Sequence, residues 1–149
     1  MTQTIYLAGP IGGFAKCADW RKEAEQALEN HNLIGLNPLR HKEQMLMNTS
    51  AMTELNDTIH ALEKIIMRRD ALDIEQSSGM IVCFQGAEKV SVGTCIEVGI
   101  AYALKKPIIL VMDRGVGNPH DHAMVREAAW AIVNDIEEAV RLMASFLNK

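Results

Sequence analysis

Residues 79–112 run Gly79-Met80-Ile81-Val82-Cys83-Phe84, then a polar stretch from Gln85 to Val92, then Gly93-Thr94-Cys95-Ile96-Glu97-Val98-Gly99-Ile100-Ala101-Tyr102-Ala103-Leu104, and after two lysines Pro107-Ile108-Ile109-Leu110-Val111-Met112. The first and last apolar runs are short and lack polar alternation, as strands buried on both faces do. Between them lies a segment long enough for a helix. A strand, a helix and a second strand in that order describe a parallel pair joined by a crossover.

The same alternation extends in both directions. Towards the N-terminus, residues 4–8 predict a first strand and residues 9–13 a loop. Residues 18–30 predict a helix, because Trp20, Ala24, Ala27 and Leu28 recur at near-helical spacing among charges. Residues 33–37 read as a second strand, stopped by Pro38. Residues 40–56 are polar and Met-rich, and a long loop or lid with short helical pieces is expected. Residues 57–76 then form a long helix, with Ile59, Leu62, Ile65, Ile66, Ala71 and Ile74 as its apolar stripe.

Towards the C-terminus, a Gly/Pro/His-rich loop over 114–122 precedes a short helix at 124–129, an edge strand at 130–133 and a closing helix at 135–147. The expectation is one α/β domain over residues 1–149, a five-stranded parallel sheet flanked by helices. Its class is flavodoxin-like or Rossmann-like.

Bulk properties narrow the function. The 149 residues are 48% hydrophobic and carry a formal charge of -4. An acidic chain without a long Lys/Arg run is poorly suited to nucleic acid polymers or anionic membranes. A small anion remains compatible, since loop amides and helix N-termini hold phosphate without net positive charge. Cys17, Cys83 and Cys95 fit no metal or redox spacing and are expected to be reduced thiols. No segment resembles a signal peptide or a membrane helix, so a cytoplasmic location is expected.

In open parallel sheets ligands bind beyond the carboxyl ends of the strands, and three segments fall there. Gly9-Pro10-Ile11-Gly12-Gly13 follows the first strand and permits close backbone approach, with Phe14 able to cover an apolar ring. A plain turn is the alternative, and no GxGxxG fingerprint supports a dinucleotide. Ser91 to Glu97 opens a helix after the central strand. Thr94-x-x-Glu97 matches a capping box, in which Glu97 only satisfies an amide. Alternatively, a carboxylate in the first helical turn stays ionised at the positive helix end and is suited to attack an anomeric carbon. Asn118-Pro119-His120-Asp121-His122 carries an HxH pair. Without a third ligand it is weak for metal, and anion binding or a neighbouring subunit suits it better.

Three stretches together carry a resemblance: Tyr6-Leu7-Ala8-Gly9-Pro10-Ile11, Asp70 to Ile74 leading into Ser77-Ser78-Gly79-Met80-Ile81-Val82, and Gly93-Thr94-Cys95-Ile96-Glu97-Val98-Gly99-Ile100-Ala101. In order and spacing the chain resembles the nucleoside 2-deoxyribosyltransferase family and its relatives, the 2'-deoxynucleoside 5'-monophosphate N-glycosidases and CMP hydrolases. The region 40–56 is outside the likeness. The resemblance implies a retaining double displacement, with Glu97 as nucleophile, Tyr6 orienting its carboxylate and Asp70 near the departing base. Asp73 is a neighbouring candidate that fits the spacing less well, and pairing of Asp70 with Arg68 or Arg69 is the structural alternative.

The substrate-binding set it implies is Gly9, Pro10, Ile11, Gly12, Gly13, Phe14, Ser91, Gly93 and His122. One departure shifts the substrate. Six residues before the nucleophile, the nucleoside transferases typically place an aspartate that grips the sugar hydroxyls, whereas this chain has Ser91. A serine hydroxyl donates to a 5'-phosphate that a carboxylate would repel. His122 lies where relatives take a polar residue from an adjacent subunit. A homodimer or higher homo-oligomer is therefore expected, with Ile96, Ile100 and Ala103 serving an interface or, the more ordinary use, the core. No metal or organic cofactor is implied. The competing reading is a non-catalytic nucleotide-binding module, which has no need for Tyr6, Asp70 and Glu97 together.

Overall fold

A computed structural model of the chain describes residues 1–11, 19–41, 55–113, 115 and 117–148, the side chains at 19 and 55–62 excepted. The elements, in order, are β1 (Gln3–Ala8), α1 (Asp19–Glu29), β2 (Leu33–Leu36), α2 (Leu55–Gln76), β3 (Gly79–Cys83), α3 (Val92–Ala103), β4 (Ile108–Val111), α4 (Ala123–Ala128), β5 (Ala131–Val133) and α5 (Ile136–Leu147). The ends expected from the sequence agree to within one or two residues wherever they fall on described residues, the usual uncertainty of fraying termini. Most of the expected lid at 40–56 lies outside the described residues.

The sheet is parallel throughout and ordered β2-β1-β3-β4-β5. This is the flavodoxin-like order, in which the winding direction reverses between β1 and β3. The register pairs Ala8 with Val82 and Val82 with Leu110, so the carboxyl ends of the three central strands finish at one level. They form a rim on which a ligand can rest.

Successive strand residues point to opposite faces, and two cores result. Ile5, Leu7, Ile81, Cys83, Ile109 and Val111 pack with α1 and α5, meeting Ala24, Leu28, Val140 and Met143. Tyr6, Ala8, Met80, Val82, Ile108 and Leu110 face the other way, against Ile74 of α2 and Val98 and Ala101 of α3. The unbroken apolar runs of β3 and β4 follow from this two-sided burial. Cys83 and Cys95 are free thiols. Among the described residues no helix is long and apolar enough to cross a membrane.

Two stripes differ from expectation. Of the α2 stripe, Ile74 is buried as expected, but Ile65 is exposed and the buried face also takes in Asp70 and Asp73. Ile96 and Ala103 are exposed as well, and of that trio Ile100 alone packs against the core. The α3 helix buries Thr94, Val98 and Ala101, the positions next to the sheet.

Candidate active site

Tyr6 sits on the β1 face that meets α2 and α3, and its side chain is fully buried. Its hydroxyl donates to Glu97 Oε1 at 2.8 Å. Burial, reinforced by the negative charges of Glu97 and Asp70, by the hydrogen bond itself and by Asp73, pushes the phenol far above its usual pKa. Tyr6 therefore keeps its proton and acts as a fixed donor. Asp70 and Asp73 of α2 are buried on the side of the sheet that Tyr6 faces.

Two guanidinium groups offset that negative charge. Arg40 Nη2 lies 2.6 Å from Asp73 Oδ2. Arg69 lies between the two aspartates, with Nη2 3.8 Å from Asp70 Oδ1 and Nε 3.9 Å from Asp73 Oδ2. Arg69 also donates to the carbonyls of Arg40 and Pro38, tying α2 to the end of β2. Asp73 is thus committed to Arg40. The pairing of Asp70 with Arg69, anticipated as the structural alternative, exists at the longer distance.

The capping box expected at Thr94 and Glu97 does not form. The N-cap is Ser91, and Glu97 falls in the second turn of α3 instead of the first. Ser91 Oγ accepts from the Thr94 amide at 3.4 Å and pairs with Thr94 Oγ1 at 2.8 Å. Both Ser91 and Thr94 are residues that cap helices well. One turn of displacement matters chemically: Glu97 gives its oxygen to Tyr6 instead of to a backbone amide. Gly93 is exposed at this helix mouth, with open space where a Cβ would stand.

Gly9 and Pro10 are buried at the end of β1. A Cβ at Gly9 would stand 2.9 Å from the Cys83 carbonyl and 3.1 Å from the Trp20 ring. The packing of β1 on β3 and α1 by itself calls for a glycine here. Ile11 is exposed at the rim. Gly12, Gly13 and Phe14 lie outside the described residues.

His122 is exposed and caps α4, its Nδ1 accepting from the Met124 amide at 3.2 Å. His120, the other half of the HxH pair, is buried and accepts from the Ser91 amide through Nε2 at 2.8 Å.

Arg21 and Arg40 were not anticipated. Arg21 is fully buried, with Nε donating to the Leu7 carbonyl at 3.2 Å and Nη2 to the Gly9 carbonyl at 2.9 Å, beneath the rim loop. A signal for it existed. Arg21 stands three residues before Ala24 and seven before Leu28, on the helix stripe that faces the core.

The profile described as Nucleoside 2-deoxyribosyltransferase matches residues 5–136. No curated protein matches. Among solved structures, the 2-deoxyribosyltransferase of the psychrotolerant bacterium Bacillus psychrosaccharolyticus is similar at a TM-score of 0.68 and 20% identity, covering 92% of this chain and 90% of that one. The CMP N-glycosidase of Clostridium botulinum is similar at 0.54 and 19%, covering 97% and 100%. A molybdenum cofactor binding protein of Rippkaea orientalis reaches 0.63 at 14%, covering 99% of each. At these identities the structural likeness is one of fold.

Proposed function

Since the chain belongs to the nucleoside 2-deoxyribosyltransferase family, we propose that it cleaves the N-glycosidic bond of a 2'-deoxynucleoside or nucleoside 5'-monophosphate with Glu97 as nucleophile. The observation that carries this reading is the 2.8 Å bond from Tyr6 to Glu97 Oε1 at the carboxyl end of the sheet. Tyr6 holds one carboxylate oxygen, and the other attacks C1'. The C1'–N bond breaks, and its electron pair leaves with the base, which takes up a proton supplied or directed by Asp70. A water molecule or the nitrogen of a second base then attacks C1' of the glycosyl ester and releases Glu97 as carboxylate. Two displacements at one carbon retain its configuration.

Ser91 favours a 5'-monophosphate over a free nucleoside. With Thr94 as donor in the hydroxyl pair, the two Thr94 contacts occupy the acceptor side of Ser91 Oγ. Its own proton is then left for a phosphate oxygen. Gly9, Pro10, Ile11, Gly12, Gly13 and Phe14 are assigned to substrate binding in this reading, and Gly93 leaves room at the helix mouth. His122 is assigned to the pocket of a neighbouring copy in a homo-oligomer. The exposed apolar face of α3 supports that assembly.

The test is chromatography of base release from four 2'-deoxynucleosides and their 5'-monophosphates, with and without an acceptor base. Release from monophosphates alone makes the chain an N-glycosidase. Exchange on nucleosides makes it a transferase and overturns the reading of Ser91. Nucleotide binding without release from any substrate would make it a binding module. A 2'-fluoro substrate analogue, which slows the second displacement, should leave a glycosyl adduct on Glu97 that mass spectrometry can locate.

A further inference from the structure

We propose that His120 is a positioning residue: its imidazole holds Ser91 in the place from which Ser91 meets the 5' end of the substrate. The inference rests on the role given to Ser91 above and adds a residue to it.

The ring is 1% exposed and lies flat on Phe84, with centroids 3.9 Å apart and planes 10° from parallel. Its hydrogen bonds run on both sides of the ring. Asn118 Nδ2 donates to the Phe84 carbonyl at 2.7 Å, which turns Asn118 Oδ1 towards the histidine. That oxygen accepts from the His120 amide at 2.9 Å and stands 3.3 Å from Nδ1. On the opposite side of the ring, Nε2 accepts the Ser91 N–H at 2.8 Å. An acceptor Nε2 carries no proton, so the neutral ring bears its proton on Nδ1, towards Asn118. Burial lowers the His120 pKa and keeps this form in place.

The consequence concerns the N-cap. The other hydrogen bonds of Ser91 described for this chain run within its own helix, to Thr94 and Cys95. The imidazole is therefore what ties the cap to the end of β3, through Phe84 and Asn118. Residues 88–90 just before it are exposed. Without an acceptor at Nε2, the Ser91 peptide can turn towards water, and its hydroxyl leaves the substrate-facing position. Glu97 keeps its own tether to Tyr6, so the expected loss is in binding and not in the chemical step.

The experiment compares His120→Phe, which keeps a flat ring on Phe84 but removes the acceptor, with His120→Gln, which keeps an acceptor near the Nε2 position but removes the ring. Asn118→Ala, which removes the partner of Nδ1, serves if the Phe variant does not fold. Three quantities are read: Ser91 amide exchange by NMR, KM and kcat for base release from the four deoxynucleoside 5'-monophosphates, and calorimetric binding of 2-deoxyribose 5-phosphate. In His120→Phe the KM should rise and the sugar phosphate affinity fall by about tenfold, the scale of one lost buried hydrogen bond. Its kcat should stay within about twofold, since the Tyr6–Glu97 pair is untouched. Ser91 exchange should quicken, and His120→Gln should restore most of all three. Asn118→Ala should shift them in the same direction as the Phe variant.

A fall in kcat with KM and Ser91 exchange unchanged overturns the inference. So does an equal KM shift in the Phe and Gln variants, which would show the ring acting by packing alone. If the unsubstituted chain releases no base from any of the nucleosides or 5'-monophosphates, with or without an acceptor base, the N-glycosidic reading fails on that result alone. His120 is then judged by amide exchange and sugar phosphate binding: the inference stands if both shift in His120→Phe and falls otherwise.

Discussion

Tyr6 is kept protonated by burial and by three nearby carboxylates, so it contributes a donor whose strength does not vary over the working pH range. In Tyr6→Phe the ring still fills the core, but Glu97 loses its orienting partner. The expected outcome is a fall in kcat of about tenfold or more, the value of a hydrogen bond to a charged group, with KM little changed. Glu97→Ala should reduce base release to background in the same chromatographic assay. His120 supplies a pH signature of stability. Its folded pKa lies below the ordinary value of 6.5, with burial the cause. Below pH 6.5 the unfolded chain binds a proton that the folded one refuses, so this contribution is full above that pH. It is lost progressively as pH falls towards the folded pKa. Calorimetric melting between pH 7.5 and 5.5 should therefore show a smaller loss in His120→Gln than in the unsubstituted chain.

At the scale of elements, α3 decides the site, and its capping was the part of it least legible beforehand. Serine and threonine three residues apart each satisfy the chemistry of an N-cap, and local sequence does not choose between them. Of the two, Ser91 is the one whose N–H also reaches His120 Nε2, an acceptor 29 positions away in the chain. Ser91→Ala should cost about 1 kcal/mol of stability as a lost cap, measured by urea denaturation. The rim loop after β1 was legible as glycine-rich, but the reason for Gly9 was not. Its neighbours are the Cys83 carbonyl and the Trp20 ring, contacts made only when β1 and α1 are in place. Gly9→Ala should lower stability by about 1–3 kcal/mol as an overpacked position, before any effect on a ligand is considered.

Across the whole molecule, the outer face of α3 carries exposed Val92, Ile96 and Tyr102 with no charge among them. Such a face on a helix that holds the proposed nucleophile suits a symmetric contact between copies. Light scattering should give a solution mass that is a multiple of the 16.5 kDa chain, and Ile96→Lys should shift it towards the single chain. The order of strands and helices, and the two-sided burial of β3 and β4, were determined by the sequence alone, because hydrophobic periodicity acts within a window of a few residues. The resemblance at Tyr6, Asp70 and Glu97 was equally legible, since it lies in local motifs. The resemblance also implied that Tyr6 orients Glu97, but only the tertiary structure decided how, by turning Tyr6 towards α2 and α3 to meet a carboxylate 91 positions away. It likewise decided that His120 is buried beside the rim, and that Arg21, whose spacing already put it on the core-facing stripe of α1, finds the Leu7 and Gly9 carbonyls as partners there. Those outcomes depend on which face of the sheet each crossover covers, and that is set by contacts between segments that no local pattern encodes.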